Sequence, residues 1–344
     1  MHILIVGGVG FIGCNIAREA LARGHRVTAF DNLIRPGVSQ NLIRFRGVRY
    51  YKFVKADIRK KTDFKKIPRT IDVIINLGAN PSVPKSIADP LYDFEINVVG
   101  HLNVLEYART HGKIPVILAS SNKVYTDEMN TFPLKKTARR YEYVNRRLAQ
   151  HGFDEDTDVD GFRGFTNSPY GVGKLAAEKY SREWSHHYGV PAVVNRMSCV
   201  YGEFQKGVEE QGWVDWFLRA KRLGKPLTIY GDGKQVRDVL FGADVARLYL
   251  TEAEAIEKFS GRAFNVGGGP QEGFHTSLLE LITLIDSQFP GKRLRYRFAP
   301  WRDSDQKVYV SDIRRVVAAT GWKPTTTLLK GLKIMWEAYE RYGL

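Results

Sequence analysis

Short apolar runs alternate with amphipathic stretches along the first half of the chain. His2–Val6 and residues 26–30, 73–77 and 116–119 are apolar almost throughout and rich in β-branched side chains, which predicts strands buried on both faces. Residues 12–22, 97–110 and 170–188 repeat apolar positions at helical spacing. Buried strands separated by helices predict an α/β fold, a Rossmann-type doubly wound parallel sheet. Beyond about Val200 the pattern is less regular, with glycine-rich turns at 230–233 and 267–269. Two late helices, at 277–288 and Leu328–Tyr342, flank a strand-like run at 293–297. No repeat and no Ser- or Pro-rich linker separates the halves, so a smaller C-terminal α/β substrate domain is expected to pack tightly on the first. The expected division is 1–198 plus about 235–268 for the cofactor domain, and about 199–234 plus 269–344 for the substrate domain. Residues 127–167 form a long insertion with few periodic features, and a stretch of that length between strand and helix suggests a functional loop or lid.

Composition narrows the class. Of 344 residues, 43% are hydrophobic and 12% aromatic, which excludes a disordered chain. Cys14 and Cys199 are too few for a disulfide framework or a Cys-rich zinc site, and no metal site is expected. No apolar run reaches the roughly 20 residues that span a bilayer, so no membrane partner is expected. The opening MHILIVGG has no basic leader segment, so a cytoplasmic location is expected. Lys and Arg number 52 against 37 Asp and Glu, a net charge of +15 that favours an anionic partner. These charges are scattered. The densest run, 134–150, holds six basic residues but is followed at 154–160 by five acids. No zinc finger, aromatic RNA-binding motif or heptad array accompanies them, so a solvated basic surface is expected and no nucleic acid.

Gly7-Gly8-Val9-Gly10-Phe11-Ile12-Gly13 follows the first strand and opens the first helix. Glycines at 7, 10 and 13 permit a tight turn, close approach to a pyrophosphate, and close helix–strand packing. The free amides and positive dipole end of the helix then face the phosphates. Asp31 ends the second strand 18 residues after Gly13, where a carboxylate accepts hydrogen bonds from an adenosine ribose and repels a 2′-phosphate. NAD is therefore expected over NADP, although Arg35 nearby could admit a phosphate. Asp57-Ile58, after the next strand, is a candidate to hold the adenine.

Tyr170 and Lys174 stand four apart, on one face of a helix. A phenol with pKa about 10 is a poor base at neutral pH, and an ammonium beside it favours the phenolate. Ala119-Ser120-Ser121-Asn122-Lys123 ends a strand in hydroxyls, at the sheet edge where parallel α/β folds bind ligands. His186-His187 lack a partner at metal spacing and are expected on the surface, and Cys199 is expected to line a pocket rather than act as nucleophile. Trp213 and Trp216 suit a base pocket or the core equally.

The ordered set Gly7/Gly10/Gly13, Asp31, Ser121 and Tyr170/Lys174 resembles the extended short-chain dehydrogenase/reductase family, over essentially the whole chain. Its members are NAD-dependent nucleotide-sugar epimerases and dehydratases. The resemblance implies NAD as cofactor and Ser121, Tyr170 and Lys174 as the catalytic triad. It implies cofactor contacts from Gly7, Gly10, Phe11, Ile12 and Gly13, from Asp31, Asn32, Asp57 and Ile58, and from Leu77, Ala79 and Asn97, with Tyr170 and Lys174. Gln235–Val239 and Arg302-Asp303-Ser304-Asp305-Gln306 resemble the two arginine motifs that grip the nucleotide diphosphate, through Arg237 and Arg302. Ser121, Asn122, Lys123, Cys199, Gln211 and Tyr230 complete the implied substrate set. The family commonly dimerises through paired helices, here 97–110 and 170–188, so a homodimer or homotetramer is expected.

The residues after the catalytic serine separate the reactions. A 4,6-dehydratase carries an Asp-Glu pair there, whereas this chain has Asn122 and Lys123, which disfavours dehydration. Residues 31–33, 121–125, 196–202, 211–213 and 233–240, with the insertion around 140–142 and 152–156, resemble the branch that inverts carbon 2 of a CDP-hexose. Thr126, where that branch has glycine, departs from it. A 4-epimerase of UDP- or GDP-hexoses is the alternative, although Cys199 and Phe241 stand where those enzymes commonly have Asn and His. A non-catalytic NAD-sensing or RNA-binding protein on the same fold is the reading from another class.

Overall fold

Neighbouring residues of a strand face opposite sides of a sheet, so a strand that is apolar at every position requires a hydrophobic layer on both faces. The computed structural model, which describes residues 1–161, 164–302 and 305–343, shows that arrangement. Seven parallel strands run in the order Ala263–Val266, Ala192–Met197, Val116–Ser121, Val73–Asn76, His2–Val6, Arg26–Asp31 and Tyr51–Lys55. Ile3 and Ile5 of the first strand, with Val73, Ile75 and Ile117, pack on one side against the helices Phe11–Ala22 and Gly242–Glu254. Leu4, Val6, Ile74 and Val116 turn the other way, onto Val104, Leu105 and Ala108 of the Gly100–Thr110 helix. All of these side chains are buried, and each Val, Leu and Ile among them contributes about 1.5–3 kcal/mol by leaving water. Order reverses between the strands His2–Val6 and Val73–Asn76, which opens a crevice at their carboxyl ends.

The second domain is built on a small sheet whose centre is Val236–Phe241. This strand runs parallel to Cys199–Tyr201 and Val308–Tyr309 and antiparallel to His275–Ser277. The sequence pattern places 235–241 with the cofactor domain. In the structure the chain returns to the large sheet only with the helix Gly242–Glu254 and the strand Ala263–Val266. A parallel pair, Leu227–Tyr230 with Tyr296–Ala299, completes this domain around Val214, Leu218, Leu281 and Leu332. Trp213 and Trp216 pack against this core. The helix Leu278–Gln288 opens on a capping box in which Ser277 accepts from the Glu280 amide and the Glu280 carboxylate accepts from the Ser277 amide.

The insertion carries the hairpin Leu134–Lys136/Tyr141–Tyr143 and the helix Arg146–His151. Its Tyr143 and Phe153 pack with Tyr309 of the Val308–Tyr309 strand in a small core. It buttresses the second domain, and none of its described residues lines the crevice. Among the described residues no helix is long and apolar enough to cross a membrane.

Candidate active site

A cavity of about 660 Å³ occupies the crevice. At one end the glycine turn approaches it. Gly7 N–H donates to Phe30 O at 2.8 Å, Gly10 N–H to Gly7 O at 3.1 Å, and the helix starts at Phe11 with no side-chain cap. The first intrahelical bond in this segment is Cys14 N–H to Gly10 O, so the amides of Phe11, Ile12 and Gly13 face outward, as an anion requires. A Cβ on Gly13 would lie 2.5 Å from Gly7 O and 2.7 Å from Gly8 Cα, so only glycine lets the helix sit this close to the turn.

Asp31 closes the same end. Its carboxylate accepts the Leu33 N–H at 2.8 Å and the Val9 N–H at 3.1 Å, and lone pairs remain for a diol. Burial pushes this carboxyl up, against the amides that hold its charged form. Asp57 is engaged by Arg59 in a two-pronged contact and by Asn32 at 3.3 Å, and the guanidinium holds its carboxyl down at about 2. Its carboxylate is thus committed to Arg59, while Ile58 turns its side chain toward Gly78 and Gly100. These donors and acceptors fit a dinucleotide: unpaired amides for a pyrophosphate, a carboxylate for a ribose, and apolar walls for an adenine.

The opposite end gathers Ser121, Lys123, Tyr170 and Lys174. The helix Pro169–Tyr188 is started by Ser168, whose hydroxyl accepts the Gly171 amide at 3.2 Å. A Cβ on Gly171 would run into Lys123 O, so a glycine here lets the helix press onto the turn after Ser121. Lys174 Nζ donates to Ala119 O at 2.9 Å. Burial pulls its pKa down to about 8, and the Asp93 and Glu178 carboxylates oppose that fall. Burial also pushes the Tyr170 phenol up to about 12; the Ser121 hydroxyl beside it acts the other way, and Asp93 adds to the rise. The chain's own groups thus leave this tyrosine above its ordinary value.

Asn97 stands behind the wall, in a wide π turn at Glu95–Val99. Its amide accepts from Asn80 N–H at 3.2 Å and donates to Asn80 O at 3.3 Å and to Asp93 at 2.9 Å, so it shapes the loop carrying Leu77, Ala79 and Asn80, which line the cavity.

The substrate side is divided. Cys199 and Gln211 line the cavity. The Cys199 thiol accepts the Trp213 indole N–H at 3.0 Å, and burial pushes it up to about 12, so it is a neutral wall and not a nucleophile. Gln211 reaches across to donate to Pro81 O at 3.3 Å. Asn122 is bound to Gln306 at 3.1 Å. Arg237 pairs with Asp305 at 2.7 Å, and its charge reaches Lys123 and Cys199. Arg302 lies over the Tyr230 ring at 3.9 Å and donates to Glu209 O at 3.0 Å. Asn122, Tyr230, Arg237 and Arg302 are therefore behind or beyond the lining, and Asp303 and Ser304 of the second arginine motif lie outside the described residues. Among the described residues no group of three His, Cys, Asp or Glu is placed to hold a metal.

Asp93, Asn80, Lys206 and Glu178 carry no motif, and sequence reasoning passes over them. Two of them nevertheless sit one helical turn from a site residue: Asp93 before Asn97 and Glu178 after Lys174.

The description of the NAD dependent epimerase/dehydratase family matches residues 3–267. The chain is 37% identical over 345 aligned positions to CDP-paratose 2-epimerase from Salmonella typhi, covering 98% of each. Its fold matches that of Pal from Bacillus thuringiensis with a TM-score of 0.81 and 26% identity over 99% of both chains. It also matches the UDP-glucose 4-epimerase of Thermus thermophilus, solved in complex with NAD, at 0.77 and 27% over 99% of both.

Proposed function

The chain belongs to the NAD dependent epimerase/dehydratase family, and on that premise we propose that it inverts carbon 2 of a CDP-hexose, of the CDP-paratose to CDP-tyvelose type. The observation that carries this reading is the single cavity joining a dinucleotide turn and an acidic strand end to the Ser121, Tyr170 and Lys174 cluster. The full-length similarity to a 2-epimerase supports the choice of carbon and base.

NAD, when bound, supplies a hydride acceptor that returns what it took, together with a positive ring that favours the phenolate. In this reading residues 10–13 hold its pyrophosphate and Asp31 its ribose. Tyr170, as phenolate, takes the proton of the C2 hydroxyl while Ser121 hydrogen-bonds that oxygen. Loss of hydride from C2 leaves a planar 2-keto sugar, which turns over in the pocket. Tyr170 gives the proton back as hydride arrives on the opposite face. The Lys174 ammonium stabilises the phenolate, and both side chains are largely buried at the cavity wall.

Arg237 and Arg302 grip the diphosphate, about which the sugar pivots; for Arg237 this means exchanging Asp305 for phosphate oxygens. The Asn122 carboxamide is neither an acid nor a base at neutral pH, and Asn122 and Lys123 stand where a dehydratase has its Asp-Glu pair, which argues against elimination of water. Exposed Leu91, Phe94, Val172 and Tyr180, around the helices 100–110 and 169–188, supply an apolar face for dimerisation.

The test is NMR of the products from CDP-, GDP- and UDP-hexoses without added reductant. Inversion at C2, with solvent deuterium excluded from that carbon, is expected. Inversion at C4 alone would overturn the choice of carbon. Tyr170→Phe should abolish turnover and leave NAD bound; activity near wild type would overturn the assignment of the base.

A further inference from the structure

We propose that Glu178 and Arg196, a buried ion pair outside the cavity, are positioning residues of this reaction: they lock the Ser121 strand to the helix of Tyr170 and Lys174 and keep the Lys174 ammonium charged. The inference rests on the catalytic reading of those three residues.

Glu178 is 3% exposed and Arg196 8%. Arg196 Nε and Nη2 donate to Glu178 Oε2 at 3.1 and 2.9 Å, and Nε also reaches Oε1 at 3.3 Å. Glu178 Oε1 accepts the hydroxyl of Ser120, the neighbour of Ser121. The remaining guanidinium nitrogen donates to the Tyr125 hydroxyl at 3.2 Å and to Glu155 O at 3.3 Å, and Tyr125 in turn donates to Asn265 at 2.6 Å. One pair thus ties the strand 116–121, the helix 169–188 and the strands 192–197 and 263–266 to the insertion. Stability alone does not require it, because an apolar pair of equal volume serves as well or better in a core. An apolar pair cannot hold the Ser120 hydroxyl or offset the burial of Lys174.

The groups facing Lys174 are few. They are Asp93 from the Pro90–Phe94 helix, His101 from the Gly100–Thr110 helix, and Glu178 on its own helix, with Tyr170 one turn before it on that helix. Burial and the Lys174 charge hold His101 down at about 3, so it is neutral. Asp93 and Glu178 are the carboxylates that oppose the fall burial imposes on the ammonium, and with both in place it loses its proton only at about pH 8.

Glu178→Gln keeps the shape and removes the charge. In the holoenzyme its kcat–pH profile should lose activity on the alkaline side about one pH unit earlier than wild type, with KM for the sugar nucleotide changed less than about twofold. The Tyr170 phenolate, followed by ultraviolet difference absorbance against Tyr170→Phe, should form at higher pH. Glu178→Asp, which keeps the charge, should restore the wild-type alkaline limb. Superimposable profiles for wild type and Glu178→Gln overturn the proposal. If Glu178→Gln does not fold, Arg196→Lys keeps both charges and loses the fork. It should lower kcat with the alkaline limb in place, and an unchanged kcat or a displaced limb overturns the proposal. An active Tyr170→Phe sinks the catalytic reading instead, whereas an inactive one beside an unmoved limb sinks only the role of the pair.

Discussion

Glu252 offers a stability test that owes nothing to the substrate. It lies on the Gly242–Glu254 helix with no exposure, facing Asn195 of the Ala192–Met197 strand, and Asn195 Nδ2 donates to its Oε2 at 2.6 Å. Among the described residues neither Asn195 Oδ1 nor Glu252 Oε1, both buried acceptors, has a donor. A proton on Oε1 gives the carboxyl a donor in the pair and removes the cost of burying its charge. Burial accordingly pushes this carboxyl from 4.5 up to about 8, against the Asn195 amide. A raised carboxyl means that the native chain binds the proton more tightly than the unfolded one. Its contribution is therefore complete below about pH 4.5 and is lost progressively as pH rises toward 8. At pH 7 the unfolded chain is ionised here and the native one is not. The 2.5 units between 4.5 and 7 correspond to about 3 kcal/mol, rising to about 5 kcal/mol above pH 8.

Glu252→Gln is neutral at every pH, nearly isosteric, and brings an NH₂ that can donate to Asn195 Oδ1 while its oxygen accepts from Asn195 Nδ2. Thermal unfolding from pH 5 to 9, followed by calorimetry or tryptophan fluorescence, should show the two proteins matched near pH 5. The variant should be more stable by several degrees in Tm at pH 8. Glu252→Ala, which leaves a cavity and strands the asparagine, should be destabilised at every pH. A difference between Glu252→Gln and wild type that does not change with pH, or a variant weaker at pH 8, would refute the argument, because it would mean the native carboxyl is already ionised.

Other outcomes follow from the site. In Gly13→Ala the added methyl meets backbone atoms that cannot move aside, and NAD affinity measured by fluorescence quenching should fall at least tenfold, about 1.4 kcal/mol; unchanged binding would remove the turn from the cofactor site. Asp31→Ser removes the charge that opposes a 2′-phosphate beside Arg35, so the ratio of NADP to NAD affinity should rise by about tenfold or more, and a constant ratio would show that Asp31 does not face the ribose. In the wild-type enzyme kcat should decline as pH rises through about 8, where Lys174 loses its proton, and Lys174→Met should abolish most activity with NAD still bound; a flat profile to pH 10 would contradict the role of the ammonium.

The cofactor half of this chain is legible because its constraints are local. A turn that brings backbone to a pyrophosphate needs glycine at fixed positions, and strands buried on both faces announce themselves as unbroken apolar runs, so His2–Val6 and its neighbours are recovered to within a residue or two. Val236–Phe241 is broken by Arg237 and Asp238, and composition cannot say which sheet it joins. That depends on Cys199–Tyr201, His275–Ser277 and Val308–Tyr309, partners of two or three residues that carry no periodic signal. The insertion at 127–167 shows no period because it is held by aromatic contacts, among them Tyr143 on Phe153 and Phe153 on Tyr309, and not by long elements.

Asp93 and Glu178 are hidden for another reason. A charge on an amphipathic helix normally marks the solvent face, and these two are buried only because Asn80, Ser120 and Arg196 come from elsewhere in the chain to meet them, with Asn97 one turn from Asp93. The spacing still leaves a trace. Each acid stands four residues from a site residue, Glu178 from Lys174 on one helix and Asp93 from Asn97 in the π turn that continues its own, so the two side chains share a face. Lys174 faces the sheet because it must reach Ala119 O, so Glu178 must face it as well, and a carboxylate forced against a sheet needs a cation from a strand. Arg196, interrupting the apolar run of the Ala192–Met197 strand, is the residue in the sequence that answers that demand.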